Sequence, residues 1–222
     1  MAVMAFLMLS IVSIATPPDT LIVNSPSGNV VVRAWVSGGT PLYSVDAFGR
    51  PVVLPSRLGF AVKGAPHFGE SFAISSAEMG SADTTWEQVW GEKHFIRDHH
   101  NKLRVRLKES ASSGRELVVV FKVFDDGVGF RYEFPDQPSM HAFDITDERT
   151  EFALAGDHTA WWIPAYRNNR YEYLYTESPV SELDTVHTPL TMSTADGLFL
   201  SFHEANLTDF PSMTLENVGG NV

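Results

Sequence analysis

There is no cysteine in the 222 residues, so neither a disulfide framework nor a thiolate metal site is possible. Basic residues are scarce as well: 16 Lys and Arg stand against 27 Asp and Glu, a net charge of -11. Phosphate backbones are held by positive patches, so this balance disfavours nucleic acid as a partner. The densest basic runs, Arg104, Arg106 and Lys108, and Arg167 with Arg170, are too short to reverse it. The histidines His99, His100, His158 and His187 lack the helical His-x-x-x-His spacing, which argues against zinc. No Asp-x-Asp-x-Asp-Gly loop is present, which argues against a self-contained calcium site of the EF-hand kind. Missing too are a fixed-period repeat, a Pro/Ser-rich linker and any helical periodicity longer than a turn or two beyond the first residues.

One long apolar run exists, residues 1–16, and it is too short to span a membrane. It ends in Ser13-Ile14-Ala15 like the cleavage end of a secretory signal peptide, although it lacks the Lys or Arg of an n-region. A periplasmic or secreted protein is the expectation.

What remains is 44% hydrophobic and 12% aromatic, enough to bury one large all-β domain. After Pro17-Pro18 the apolar period becomes two. Val30, Val32, Ala34 and Val36 alternate with Val31, Arg33 and Trp35, and the turn Ala47-Phe48-Gly49-Arg50 separates extended runs at 42–45 and 51–54. Residues 64–80, rich in Gly, Ser and Ala, read as loop with one edge strand at 71–74. Leu103, Val105 and Leu107 face one way and Arg104, Arg106 and Lys108 the other, a strand with one wet face. Residues 117–124 are apolar on both faces except at Lys122, as a strand between two layers should be. Asp125-Asp126-Gly127 then turns the chain into Val128, Phe130, Tyr132 and Phe134, the apolar face of a hairpin partner. Residues 188–192 and 197–202 read as a second strand pair, and 177–183 as a short helix. The sum is an all-β, antiparallel sandwich occupying residues 24–222.

Chemistry concentrates in residues 160–179, which hold two Trp, four Tyr, two Arg and two Glu. Flat rings, fixed donors and carboxylates suit sugar hydroxyls or a hard cation, but they also suit a half-buried strand and loop. If the segment is extended, Trp161 and Trp162 point to opposite faces, one to the core and one away from it. Trp86 and Trp90 read as closing a core or a domain interface. His203 and Glu204, at a strand end, are either an acid/base couple or a loop pin, the second being favoured. Asp125, Asp126 and Glu133 are explained by turn geometry and a polar strand face.

The motifs Ser-Pro-Ser-Gly (25–28), Pro-Ser-Arg-Leu-Gly (55–59), Trp-Glu-Gln-Val-Trp-Gly-Glu (86–92), Asp-Asp-Gly-Val-Gly-Phe-Arg-Tyr-Glu-Phe-Pro (125–135), Ala-Gly-Asp (155–157), Trp-Trp-Ile-Pro (161–164) and His-Glu-Ala (203–205) stand in order along the chain. Together they resemble the N-terminal domain of glycoside hydrolase family 97, a family of bacterial α-glucosidases and α-galactosidases. The resemblance runs from about Asn24 to Leu215. It implies a galactose-mutarotase-like β-sandwich that packs on a (β/α)8 catalytic barrel carrying the acid, base or nucleophile, so that no catalytic residue is expected here. It also implies that Trp161, Trp162, His203 and Glu204 contribute to binding an α-linked oligosaccharide. In the family, calcium is held mostly by barrel glutamates with one glutamate lent by the β domain; Glu172 is the matching position here, with Glu177 the fallback. The chain alone is expected to be inactive. The alternative is a free-standing, non-catalytic carbohydrate-binding or assembly module.

Overall fold

In a computed structural model the chain is described over residues 19–65, 68–110, 114–169, 171–208 and 210–222. The apolar leader at 1–16 lies outside the described residues. The elements are antiparallel strands, with single 3-10 turns at Pro138–Met140 and Val180–Glu182.

Two four-stranded meanders form the main sandwich. The first comprises β1 (Leu21–Asn24), β2 (Val30–Ser37), β3 (Thr40–Ala47) and β4 (Arg50–Arg57), in that order. Tight hairpins connect it. Gly38 and Gly39 take positive φ at the first of these, between β2 and β3, where a Cβ on Gly39 would collide with the Glu70 carbonyl. At the second, Phe48 and Gly49 both have positive φ, 53° and 75°, as the two-residue turn that matches strand twist requires.

The second meander comprises β6 (Phe72–Glu87), β7 (Phe95–Glu109), β8 (Glu116–Val123) and β9 (Val128–Glu133). Its β8–β9 connection is the expected Asp-Asp-Gly hairpin, closed by Phe124 N–H donating to the Gly127 carbonyl. Between the meanders lies one core, in which Val23, Val32 and Tyr43 meet Leu103, Leu107, Leu117 and Phe121. The alternation in β7 is realised: Leu103, Val105 and Leu107 are buried, while Arg104 and Arg106 are half-buried and Lys108 exposed.

β8 is buried on both faces, and its outer face explains the charges around it. Cross-strand register places Val118 between Arg106 and Glu133, and Val120 between Arg104 and Arg131. Arg104 donates to Glu133 at 2.9 Å, Arg131 to the same carboxylate at 2.6 Å, and Arg106 to Glu116 at 2.7 Å. The cations of β7 are thus not simply solvated. Their stems lie beside Val118 and Val120 while their heads are paired.

Two expectations are corrected. Residues 75–80, read as loop after an edge strand at 71–74, belong to β6, a 16-residue strand that runs on to Glu87. β6 is an edge strand with most side chains in solvent, so it needs no apolar alternation, and its partner β7 lies beyond the reach of local pattern. The expected helix at 177–183 is instead strand β12 (Thr176–Pro179) followed by the 3-10 turn, since Pro179 disfavours helical backbone at Ser178.

The remaining chain forms two small pairs, β5 (Phe60–Val62) with β10 (Ile145–Glu148) and β13 (Thr185–His187) with β16 (Thr214–Glu216). A third four-stranded sheet has the order β12, β11 (Thr159–Trp162), β14 (Leu190–Ser193) and β15 (Phe199–Phe202). Its inner face carries Ala160, Leu190 and Met192 in a second apolar cluster. Leu200 and Phe202 join this cluster to the main core, with Phe202 and Phe152 rings 4.7 Å apart.

The cation cover over β8 makes stability depend on pH. Hydrogen bonds and charge from Arg131 and Arg104 hold the Glu133 carboxyl below its ordinary range. A carboxyl lowered in the folded state contributes stability above its unfolded pKa and loses it as pH falls through the folded value. Glu133→Gln should therefore lower the melting temperature at pH 7, and the difference from wild type should close in melts at progressively lower pH, below the ordinary glutamate value of 4.5.

Candidate functional site

The ring-rich segment begins on β11, in the middle of the third sheet. Pairing of Ala160 with Ser178 and Met192 turns Ala160 inward, so Trp162 faces inward with it and Trp161 faces out. The Trp162 indole packs on the Leu190–Met192 cluster and donates to Ser178 Oγ at 3.1 Å. Trp161 is half-buried on the outer face, where its Nε1 donates to the Glu177 carboxylate at 2.9 Å. Opposite faces were expected for this pair, and the assignment of each is now fixed.

Past Trp162 the chain leaves the sheet. Ile163 and Ala165 remain buried, anchored because His187 N–H donates to the Ile163 carbonyl and Ala165 N–H to that of Thr185. Tyr166 then takes positive φ, 56°, and its hydroxyl lies 2.9 Å from Thr214 Oγ1. From there to Tyr175 the loop offers its side chains to solvent: Tyr166 is 81% exposed, Leu174 93% and Tyr175 64%. Glu172 sits in this loop, exposed, its N–H donating to the Asn169 carbonyl. Its carboxylate makes no hydrogen bond or ion pair with the described residues. Glu177 differs, because its carboxylate already accepts from Trp161.

Beneath the loop is an anomaly. The Tyr171 and His187 rings lie 4.1 Å apart, and both ring nitrogens of His187 are buried without a hydrogen-bond partner among the described residues. A neutral imidazole always has one N–H to place, so this arrangement costs free energy.

At the end of β15 the Glu204 carboxylate accepts from the Met213 N–H and from the Thr188 hydroxyl, 3.1 Å away, joining three segments. His203 is exposed, its Nδ1 3.0 Å from the Glu204 carbonyl. Trp161 and Trp162 thus lie on β11 and Glu172 in its connection to β12, whereas His203 and Glu204 lie in the loop that follows β15, the far edge strand of the sheet.

Other motif residues prove to be ties. Asp157 accepts from the Ser181 N–H at 2.9 Å and the Ser181 hydroxyl at 2.7 Å, and these bonds hold its carboxyl below the usual range. Asp125 accepts from the Ser27 N–H at 2.8 Å and is lowered in the same way, which links the Ser-Pro-Ser-Gly turn to the Asp-Asp-Gly hairpin. Trp86 and Trp90 are 53% and 88% exposed, so the expectation that they close a core within this chain is overturned. They lie at the tip of the β6–β7 arm, where residues 95–100 pair with β6 alone.

As to a metal, no three His, Asp or Glu side chains among the described residues converge where they could share an ion. Six or more oxygens are the rule for calcium, so the described residues do not form a calcium site by themselves. Glu172 fits only as a single donated ligand.

Sequence reasoning passed over two residues here. Phe199 is 68% exposed on the outer face of the third sheet, its ring 6.5 Å from that of Trp161 and within 17° of parallel. Its position two residues before Ser201, out of phase with the apolar Leu198, Leu200 and Phe202, was the available signal. His187 had none, because burial without a partner is not a property of sequence.

Comparison with known proteins gives the class. The description of the glycosyl-hydrolase 97 N-terminal family matches residues 23–221. The chain belongs to this family. Solved structures of a glycoside hydrolase family 97 enzyme from Pseudoalteromonas sp. strain K8, one in complex with panose and one with acarbose, superpose with a TM-score of 0.87 at 41% identity. They cover 90% of this chain, which spans 31% of theirs. A probable retaining alpha-galactosidase of Streptomyces bingchenggensis (strain BCW-1) is 29% identical over 147 residues, 66% of this chain and 22% of that protein. The chain therefore corresponds to the N-terminal, non-catalytic portion of a family 97 glycosidase, about a third or less of the length of these relatives.

The unpartnered imidazole yields a test. His187→Leu keeps the shape of the site and removes two buried polar atoms, so it should stabilise the chain by about 1 kcal/mol in denaturant melts. A loss of stability would show that the imidazole has a partner in solution.

Proposed function

We propose that the chain is the β domain of a periplasmic or secreted exo-acting α-glycosidase, that it packs on a (β/α)8 catalytic barrel, and that it lends Glu172 to a calcium ion at that barrel's active site. The observation that carries this reading is the loop from Tyr166 to Tyr175. It presents one uncommitted carboxylate among exposed rings, and exposed apolar groups in such density mark an interaction surface. Glu177, the other candidate, is engaged by Trp161, which favours Glu172.

Within such an enzyme the division of work follows from side-chain placement. Trp161 is on the outward face and available to a sugar ring, and His203 is exposed at the strand end. Trp162 and Glu204 support them, one from the inner face of the sheet and the other by tying three segments together. When bound, calcium would act as a Lewis acid toward the substrate or its attacking water. Glu172 would supply one oxygen and, from a loop anchored at Ile163 and Ala165, help fix the ion's position relative to this domain. As to the sugar, panose is built of α-linked glucose, and its complex with the relative 41% identical to this chain favours an α-glucoside over an α-galactoside.

Two outcomes follow. The chain alone should not hydrolyse p-nitrophenyl α-glucoside or α-galactoside, because glycoside hydrolysis needs a pair of carboxyl groups about 5 to 9.5 Å apart across the bond and these are assigned to the barrel. Turnover by the purified chain that vanished with Glu172→Gln or Glu204→Gln would overturn this. In the full-length enzyme, Glu172→Gln should raise the calcium concentration needed for half-maximal activity at least tenfold, while Glu177→Gln leaves it near wild type. An unchanged calcium titration for Glu172→Gln removes that residue from the metal site.

A further inference from the structure

Among the described residues no layer covers the outer face of the third sheet. Register fixes which side chains share it. Trp161 is opposite Glu177 on one side and Thr191 on the other, Thr191 is opposite Ser201, and Ser193 is opposite Phe199. The Trp161 and Phe199 rings reach toward each other across β14, nearly parallel and 6.5 Å between centroids, within the range of offset aromatic pairs. Around them stand an exposed carboxylate, Glu177, and two hydroxyls 3.2 Å apart, Thr191 and Ser201. In chemical terms this is two adjoining flat apolar faces rimmed by acceptors and donors.

Phe199 is 68% exposed, and its ring meets that of Trp161. The positions that share this face hold no Lys or Arg, and the one formal charge among them is negative. That excludes sulfated or phosphorylated ligands and acidic polysaccharides, which need cations. A neutral pyranose suits it: its axial C–H face can lie on the rings while its rim hydroxyls donate to Glu177 and exchange hydrogen bonds with Thr191 and Ser201.

We propose that Trp161 and Phe199 form a surface platform on which this domain binds a chain of neutral α-linked glucose units. The platform holds substrate on the β domain itself and acts independently of the metal ligand. It rests on the reading of the chain as part of an α-glucoside-active enzyme for the identity of the sugar, while its geometry stands on the sheet alone. Because the rings sit on strands of a paired four-stranded sheet and not on a loop, the platform is already in place before ligand arrives.

The test is calorimetric titration of this chain with maltoheptaose, with tryptophan fluorescence as a second readout. The expected dissociation constant is on the order of 1 mM. Phe199→Ala should weaken it about tenfold, since an exposed ring can be removed without disturbing the fold. Phe199→Tyr should retain binding, and Phe48→Ala, which removes an exposed ring that is not on this sheet face, should leave it unchanged. Absence of binding at 10-fold that concentration, about 10 mM, overturns the proposal, as does equal binding by Phe199→Ala. A dimer that Phe199→Ala dissolves, without sugar binding, would assign the face to a second copy and overturn it equally. Failure of the broader reading is distinguishable. A full-length enzyme inactive on α-glucosides, with this chain still binding maltoheptaose, removes the reading and leaves the platform. No binding here with hydrolysis intact removes the platform alone.

Discussion

The structure depends on the burial of β8 from both sides. Leu117, Val119, Phe121 and Val123 face the core, and Val118 and Val120 face the other way yet are just as inaccessible. A strand apolar on both faces must find two covers. The first meander supplies one through Val23, Val32 and Tyr43. Among the described residues no further sheet covers the other side; the lattice of Arg104, Arg106, Arg131, Glu116 and Glu133 stands there, with aliphatic stems beside the valines and paired heads toward water. The stems can cover apolar surface only while the heads are held, so the carboxylates contribute through packing as much as through charge.

That constraint positions the rest. With β7, β8 and β9 fixed as a meander, Phe130, Tyr132 and Phe134 are delivered to one face, where they meet Tyr43, Phe60 and Phe152 in a run of ring contacts between 4.5 and 6.3 Å. Phe152 in turn touches Phe202 of β15, so an aromatic chain seats the third sheet on the main core, while Leu154 of the second cluster is bridged to Val53 of β4 and Arg50 pairs with Asp196. Side-chain seating of this kind fixes the sheet's inner face and leaves its outer face free. Trp161, Glu177, Thr191 and Phe199 are therefore available for recognition because Trp162, Met192 and Phe202 are committed to packing.

How much of this the sequence disclosed follows the locality of each signal. The β7 alternation, the doubly apolar β8, the Asp-Asp-Gly hairpin and the β14–β15 pair were legible because each is written in one short consecutive stretch. β6 was not, because an edge strand in solvent carries no apolar pattern and is defined by pairing with residues up to 37 positions away, Phe72 with Glu109. The candidate site divides similarly. Opposed faces for Trp161 and Trp162 follow from strand period, but which indole packs depends on Leu190 and Met192, whose placement is tertiary. The isolation of Glu172, the engagement of Glu177 and the unpartnered His187 are facts about neighbours and have no counterpart in composition or spacing.

Two groups of exposed apolar side chains differ in their supports. At the tip of the β6–β7 arm, Trp86, Val89, Trp90 and Phe95 are carried on a two-stranded ribbon, which by itself is marginal in water. In the Tyr166–Tyr175 loop, the rings are carried by a segment held at Ile163, Ala165 and Thr214 and resting on His187. A free-standing binding module has no reason to keep a second uncovered patch on a weak ribbon remote from its ligand face, because such surface promotes association. A domain that packs on another has a reason for both, since docking would cover the arm and the loop and give the ribbon the third layer it lacks. Two separated apolar patches, neither committed within the chain, thus favour the domain of a larger enzyme over the independent module. The same argument sets the outer face of the third sheet apart: only two rings stand there, rimmed by hydroxyls and a carboxylate, a surface too polar to require a protein cover and well suited to a ligand that comes and goes in water.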